Sequence, residues 1–170
     1  GTVNFQWGGH GANLDTANYS TETGIGTGKS NTDTLVNFFD SSYPSGSPGV
    51  SYYDYDWTGL ELTESVEFTD GSSTYNMTGK NNGVVAAKLC NDYTNIDTGT
   101  GVYSDWYLPS KDELNKLYVN REGVGGFDDA YYWSSSESHS VTAWFQNLYD
   151  GDQSGYQKYV ERRVRPVRAF

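Results

Sequence analysis

Cysteine is nearly absent: Cys90 is the only one in 170 residues. That excludes a disulfide framework and a thiolate zinc site. Aliphatic residues are also scarce. Leu, Ile, Val and Phe together number 31, under the roughly 20% at which a strongly charged composition reads as disordered. Basic residues are few, 11 against 22 acidic ones, for a net charge of −11. Such an acidic body argues against nucleic-acid partners. No run of 18 apolar residues exists, so no membrane-spanning helix is expected. The opening Gly1-Thr2, without Met, reads as that of a fragment, so a missing leader says nothing about location.

What is present reverses the disordered reading. Fifteen Tyr, seven Phe and five Trp can each bury on the order of 150–250 Å², so the core is expected to be built from rings. Twenty Gly, with many Ser, Thr and Asn, point to turns and loops and exclude a helical bundle. The length suits one domain over 1–170.

Charge is unevenly placed. Residues 1–100 sum to −9 and 101–157 to −6, whereas 158–170 sum to +4. Between Ser30 and Gly79 there is no Lys or Arg but eight acids, from Asp33 to Asp70. The chain is thus an acidic body with a basic C-terminal segment.

Residues 24–30, Gly-Ile-Gly-Thr-Gly-Lys-Ser, resemble a phosphate loop only superficially. The phosphate-loop spacing needs Gly at 23, where Thr23 stands, and no apolar strand leads in. These glycines are expected to make turns. Thr32–Phe39 predicts a short helix capped by Asn31 or Thr32. Val66–Phe68 and Ser73–Thr78 predict short strands. Asn82–Tyr93 predicts a helix with Val85/Leu89 and Ala86/Cys90 four apart, which makes Cys90 a buried, inert thiol. Ser110 and Glu113 form a capping box at the start of another helix, with Leu114, Leu117 and Tyr118 as its buried face. Gly123 is expected just past its end. Tyr131–Trp133, Ala143–Asn147 and Tyr159–Phe170 predict three strands of an antiparallel meander. Asp150–Gly155 is expected as the turn between the last two.

Four motifs then occur in order: Trp106-Tyr107-Leu108-Pro109-Ser110-Lys111-Asp112-Glu113-Leu114, Tyr132-Trp133-Ser134-Ser135-Ser136-Glu137, Ala143-Trp144-Phe145-Gln146-Asn147, and Val164-Arg165-Pro166-Val167-Arg168-Ala169-Phe170. Ile25–Thr32 and Ala86–Cys90 fit the same pattern. Together they resemble a bacterial domain family of C-type-lectin-like fold, and within it the C-terminal domains of Legionella-type collagen-like adhesins. The resemblance covers about 7–40 and 80–170. It implies an α+β fold in which two or three short helices flank a twisted antiparallel sheet. It implies an extracellular or cell-surface location and a homotrimer, because a collagen stalk winds three chains. It also implies sulfated glycosaminoglycan ligands such as heparin and chondroitin sulfate.

Two departures stand out. Only Val3–Trp7 is available for the hydrophobic hairpin with which the family often opens. Residues 41–79, acidic and aromatic, read as an insertion. The Glu-Pro-Asn and Gln-Pro-Asp tripeptides of calcium-dependent lectins are absent, so no metal or cofactor is expected beyond loosely held divalent cations.

For a polyanion ligand, Lys158, Arg162 and Arg163 are the leading candidates, extended by Lys116, Lys111 and Arg168. Guanidinium and ammonium groups suit sulfate. Arg165 and Arg168 lie inside the terminal motif and fit a structural role equally well. An enzyme is not expected. Cys90 is alone, and Ser134–Ser136 near His139 read as turn chemistry. The alternative reading is a trimerisation cap or protein-binding module, with Tyr52, Tyr53, Tyr55 and Trp57 either exposed for a partner or packed as core. Trp106, Trp133 and Trp144 are expected to be substantially buried.

Overall fold

The computed structural model describes residues 4–16, 19–71, 73–97 and 101–169. Val3 and Phe170, at the ends of the expected terminal strands, lie outside them. In chain order the elements are β1 (Asn4–Phe5), α1 (Gly28–Ser41), β2 (Tyr43–Pro44), β3 (Ser65–Thr69), β4 (Thr74–Thr78), α2 (Ala86–Asp92), β5 (Asn95–Asp97) and β6 (Gly101–Tyr103). They continue with α3 (Lys111–Val119), α4 (Arg121–Val124), β7 (Tyr131–His139), β8 (Thr142–Asn147), β9 (Gln153–Gln157) and β10 (Arg162–Arg163).

The main sheet runs β1-β10-β7-β8-β9. Trp133 on β7 faces Phe145 on β8, and Phe145 faces Ser154 on β9. The ends of the chain meet in it, because β1 lies antiparallel to β10. The class is the expected α+β, C-type-lectin-like arrangement with a curled sheet. Its details differ from the expected meander. β10 pairs with β7 in parallel, through Arg163 and Tyr132. The chain between Asn147 and Gln153 turns tightly enough for β9 to begin inside the expected turn. The terminal strand shortens to two residues, because Arg165 and Arg168 are drawn into contacts with other segments.

All three expected helices differ at an end. α1 starts at Gly28, four residues early, with Thr27 as cap. α2 starts at Ala86 because Asn81 and Asn82 are held in a loop by His10 and Gln6: the His10 N–H donates to Asn81 Oδ1 at 3.1 Å and the Asn82 N–H donates to Gln6 Oε1 at 3.0 Å. Gly123 sits within the single turn α4, and Gly125 ends it at φ 70°. The capping box at α3 forms as expected. Glu113 N–H donates to Ser110 Oγ at 3.3 Å, and Ser110 N–H donates to Glu113 Oε2 at 2.8 Å.

Residues 43–78 build a second antiparallel sheet, β2-β3-β4. Val66 pairs with Met77 and Phe68 with Tyr75. Its aromatic residues are core: Tyr52, Phe68 and Trp57 are buried, and Trp57 stacks on Phe68 at 5.4 Å and 13°. This sheet joins Trp7, Leu35, Phe38, Phe39, Val85, Cys90, Trp133 and Phe145 in one apolar cluster. A smaller cluster of Leu114, Tyr132 and Leu148 lies under α3. Trp133 is fully buried, while Trp106 and Trp144 are half-buried. Cys90 is buried, and desolvation pushes its thiol far above the usual range, which keeps it protonated.

Candidate functional site

The Ser134–Ser136 segment lies where the β7–β8 register shifts. Each hydroxyl is engaged: Ser134 within the sheet, Ser135 with α1 and Ser136 with the loop before α1. Ser134 Oγ donates to the Trp144 carbonyl at 2.8 Å, Asn31 Nδ2 donates to Ser135 Oγ at 3.1 Å, and Ser136 Oγ donates to the Glu22 carbonyl at 2.7 Å. The loop is further fixed by Gly26 N–H on Glu113 Oε1 at 2.9 Å and by Ser110 Oγ on the Gly24 carbonyl at 2.7 Å. A Cβ at Gly28 would stand 2.2 Å from Glu113 Oε2, so this glycine is required by close approach. The phosphate-like sequence is therefore a structural loop clamped by the α3 cap. His139 is exposed, and its ring nitrogen meets Ser140 Oγ at 3.1 Å.

The basic residues fall into three groups. Lys158 is fully buried. Its ammonium donates to the Ala12 carbonyl at 2.9 Å and to the Glu137 carboxylate, and lies 4.8 Å from the centre of the Trp7 ring. Glu137 in turn accepts from Leu14 N–H at 3.0 Å. Lys158 therefore cannot contribute to an outer ligand surface. It is the counter-charge of a buried carboxylate, and that pairing draws it inward.

Arg162 is 8% exposed and sits among Phe145, Tyr156, Tyr131 and Trp133, 4.1, 4.4, 4.6 and 5.2 Å from their ring centres. Arg162, expected as a leading ligand contact, therefore does not join the outer basic surface. The strand ends at Arg163, and Arg162 turns onto the rings.

The third group lies at the surface. Arg163 pairs with Asp128. Arg165 Nη1 donates to the Gly126 carbonyl at 3.1 Å and stacks 4.7 Å from Phe127. Arg168 pairs with Asp105 at 3.1 Å and lies 3.8 Å over Tyr103. Lys111 is half-buried, 4.5 Å over Trp144. Lys116 is exposed on α3, beside a shallow hollow formed by Ile25, Tyr107, Pro109, Glu113, Leu117 and Val167. No described carboxylate pairs with Lys116.

The tail after β10 thus runs past the α3–β7 connection, touching Asp128, Gly126 and Tyr107 in turn. Arg121 joins this side, donating to the Tyr118 carbonyl at 3.1 Å and lying 4.3 Å over its ring. Sequence reading passed over Arg121 because it stands alone in an acidic stretch.

The acids of 33–70 mostly serve local structure. Asp33 pairs with Lys29, Asp54 accepts from Ser51, Asp56 accepts from Thr58 N–H, and Asp70 accepts from Ser73 N–H. Among the described residues, no three His, Cys, Asp or Glu side chains gather as a metal-binding group. No helix among them is long and apolar enough to cross a membrane.

No curated protein matches the chain. The family model described as the Lcl C-terminal domain matches residues 58–168. The match begins midway through the stretch expected as an insertion and runs through β3, β4 and every element of the main sheet except β1. It spans well over half of the sequence and covers the first three ordered motifs whole and the fourth as far as Arg168. The chain belongs to the Lcl C-terminal domain family, the C-terminal domain of a Legionella-type collagen-like protein.

Proposed function

We propose that this domain is an extracellular adhesin module that binds sulfated glycosaminoglycans, acting as a homotrimer. The family supports a collagen-like, surface-adhesin context. The observation that carries the ligand class is the C-terminal tail, which sets Arg163, Arg165 and Arg168 beside α3, on the side that bears Lys116 and Arg121. This gathers cations on one part of an otherwise acidic chain, where guanidinium and ammonium groups can engage sulfate. Three copies would present the surface three times, and linked binding raises avidity by about 10²–10⁴-fold. The acidic side chains of 33–70 would then hold divalent cations loosely, as hard oxygen donors do.

A trimerisation or protein-binding cap without glycan affinity is the second reading. It is favoured by the pairing of Arg163 and Arg168 with carboxylates of their own chain. Neither reading is enzymatic.

The test is binding of heparin and chondroitin sulfate at low and physiological salt. Affinity should fall steeply with salt, as it does when polyanions release counterions, and desulfated chains should bind poorly. Lys116→Ala with Arg163→Ala should weaken binding with little change in the thermal midpoint. Affinity indifferent to salt, sulfation and this double change would favour the cap. Light scattering decides trimer against monomer.

A further inference from the structure

Phe145, Tyr131 and Tyr156 form three sides of a box. Tyr131 stands at 84° to Phe145 with centres 5.4 Å apart, and Tyr156 at 86° with centres 6.2 Å apart. Phe145 is the floor, and the two tyrosines are walls left 49% and 46% exposed. The space between the walls is filled by the chain's own guanidinium, Arg162. That side chain is more than nine-tenths buried, yet its Nε has no hydrogen-bond partner. No carboxylate of the described residues pairs with it. Every other arginine has an ion pair or a carbonyl acceptor.

An enclosed cation without a counter-charge is costly. The rings return part of that cost through cation–π attraction, but they accept no hydrogen bond in the guanidinium plane. Burial accordingly lowers the Arg162 pKa, with the Tyr156 and Tyr131 hydroxyls opposing the shift. At the β10–β7 edge a hollow of about 240 Å³ is lined by Asn4, Ala130, Tyr131, Glu161, Arg162 and Arg163.

We propose that Arg162 is the anion-binding group of a site for the carboxylate of one acidic sugar ring, seated in the hollow at the β10–β7 edge. A carboxylate is planar and accepts two parallel hydrogen bonds from a guanidinium edge. It accepts both bonds in the guanidinium plane, where a tetrahedral sulfate is thicker. Tyr131 offers an exposed ring face for the C–H face of a sugar, and its hydroxyl is a further donor. Glu161, exposed on the rim, accepts sugar hydroxyls and repels a second negative charge. Arg163 is already engaged with Asp128, which leaves Arg162 as the cation of the pair without a carboxylate partner among the described residues. The choice of a sugar rests on the glycan-binding reading above; the anion site does not.

Sodium glucuronate, glucose and glucose 6-sulfate would be titrated separately against the intact domain. The side-chain resonances of Arg162, Tyr131 and Tyr156 would be followed by NMR. Saturable shifts are expected with glucuronate, a response at least about tenfold weaker with the sulfate, equivalent to about 1.4 kcal/mol, and none with glucose. Arg162→Gln should abolish the glucuronate response. Arg162→Lys, which keeps a cation over the rings, should fold as the parent does and bind at least about tenfold more weakly, because it loses the planar fork. Equal shifts with glucose, or a glucuronate response that survives Arg162→Gln, would overturn the site. Heparin retention in the same samples separates the two ideas. Heparin bound without any glucuronate response removes this site and leaves the wider reading. Glucuronate shifts without heparin binding leave the site and remove the glycosaminoglycan.

Discussion

The Lys158 ammonium lies 4.8 Å from the centre of the Trp7 indole while donating to Glu137, and the indole N–H donates to the Ser134 carbonyl at 2.8 Å. One lysine therefore ties the segment after β9 to the N-terminal loop, and Trp7 ties that loop to β7. The Trp7 N–H also donates to the Lys158 carbonyl at 3.0 Å. The junction is where the beginning and end of the chain are locked together.

Removing one partner of this pair should be severe. Lys158→Met is expected to destabilise by about 3–5 kcal/mol, because Glu137 is left as an uncompensated buried charge. Glu137→Leu combined with Lys158→Met should recover much of that loss, since an apolar pair escapes the desolvation cost. Denaturant unfolding of the two single variants and the double variant measures it.

His10 should make stability depend on pH. Burial lowers its pKa from 6.5, against the opposing hydrogen bond to Gln157 at 2.7 Å. The folded state thus favours the neutral ring, and the unfolded chain binds the proton more readily. Stability from this group is complete above 6.5 and declines as pH falls through the folded value. His10→Gln should flatten the dependence of the unfolding free energy on pH between 7 and 5.

The α3 cap carries more than a helix end. Ser110→Ala removes both the capping bond and the bond to the Gly24 carbonyl. A loss of about 1–2 kcal/mol is expected. Gly28→Ala should cost at least as much by driving a methyl group into Glu113. Hydrogen exchange should show both changes loosening residues 22–28 together.

The second sheet should unfold with the first. Trp57→Ala removes a ring stacked on Phe68 within the shared core, at an expected cost of about 3–5 kcal/mol. The remaining transition should stay single when followed by fluorescence and by far-ultraviolet circular dichroism. Two separated transitions would show that residues 43–78 form an independent unit.

Sequence alone determined the elements whose signals are local. The capping box at Ser110 and Glu113, the apolar face of α3, the strands of 131–133 and 143–147, and a core built from rings all follow from neighbours a few residues apart. The ordered motifs further along the chain indicated the family. What local signals could not decide was the fate of each charge. Lys158 and Arg163 are both basic residues of one short segment. Lys158 is drawn into the core by Glu137, 21 residues away, whereas Arg163 meets Asp128 at the surface. Arg162 lies among rings from three strands that assemble only when β7, β8 and β9 pair. A charge is placed by its partners, and those partners are brought together by tertiary structure, across separations that no periodicity in the chain records.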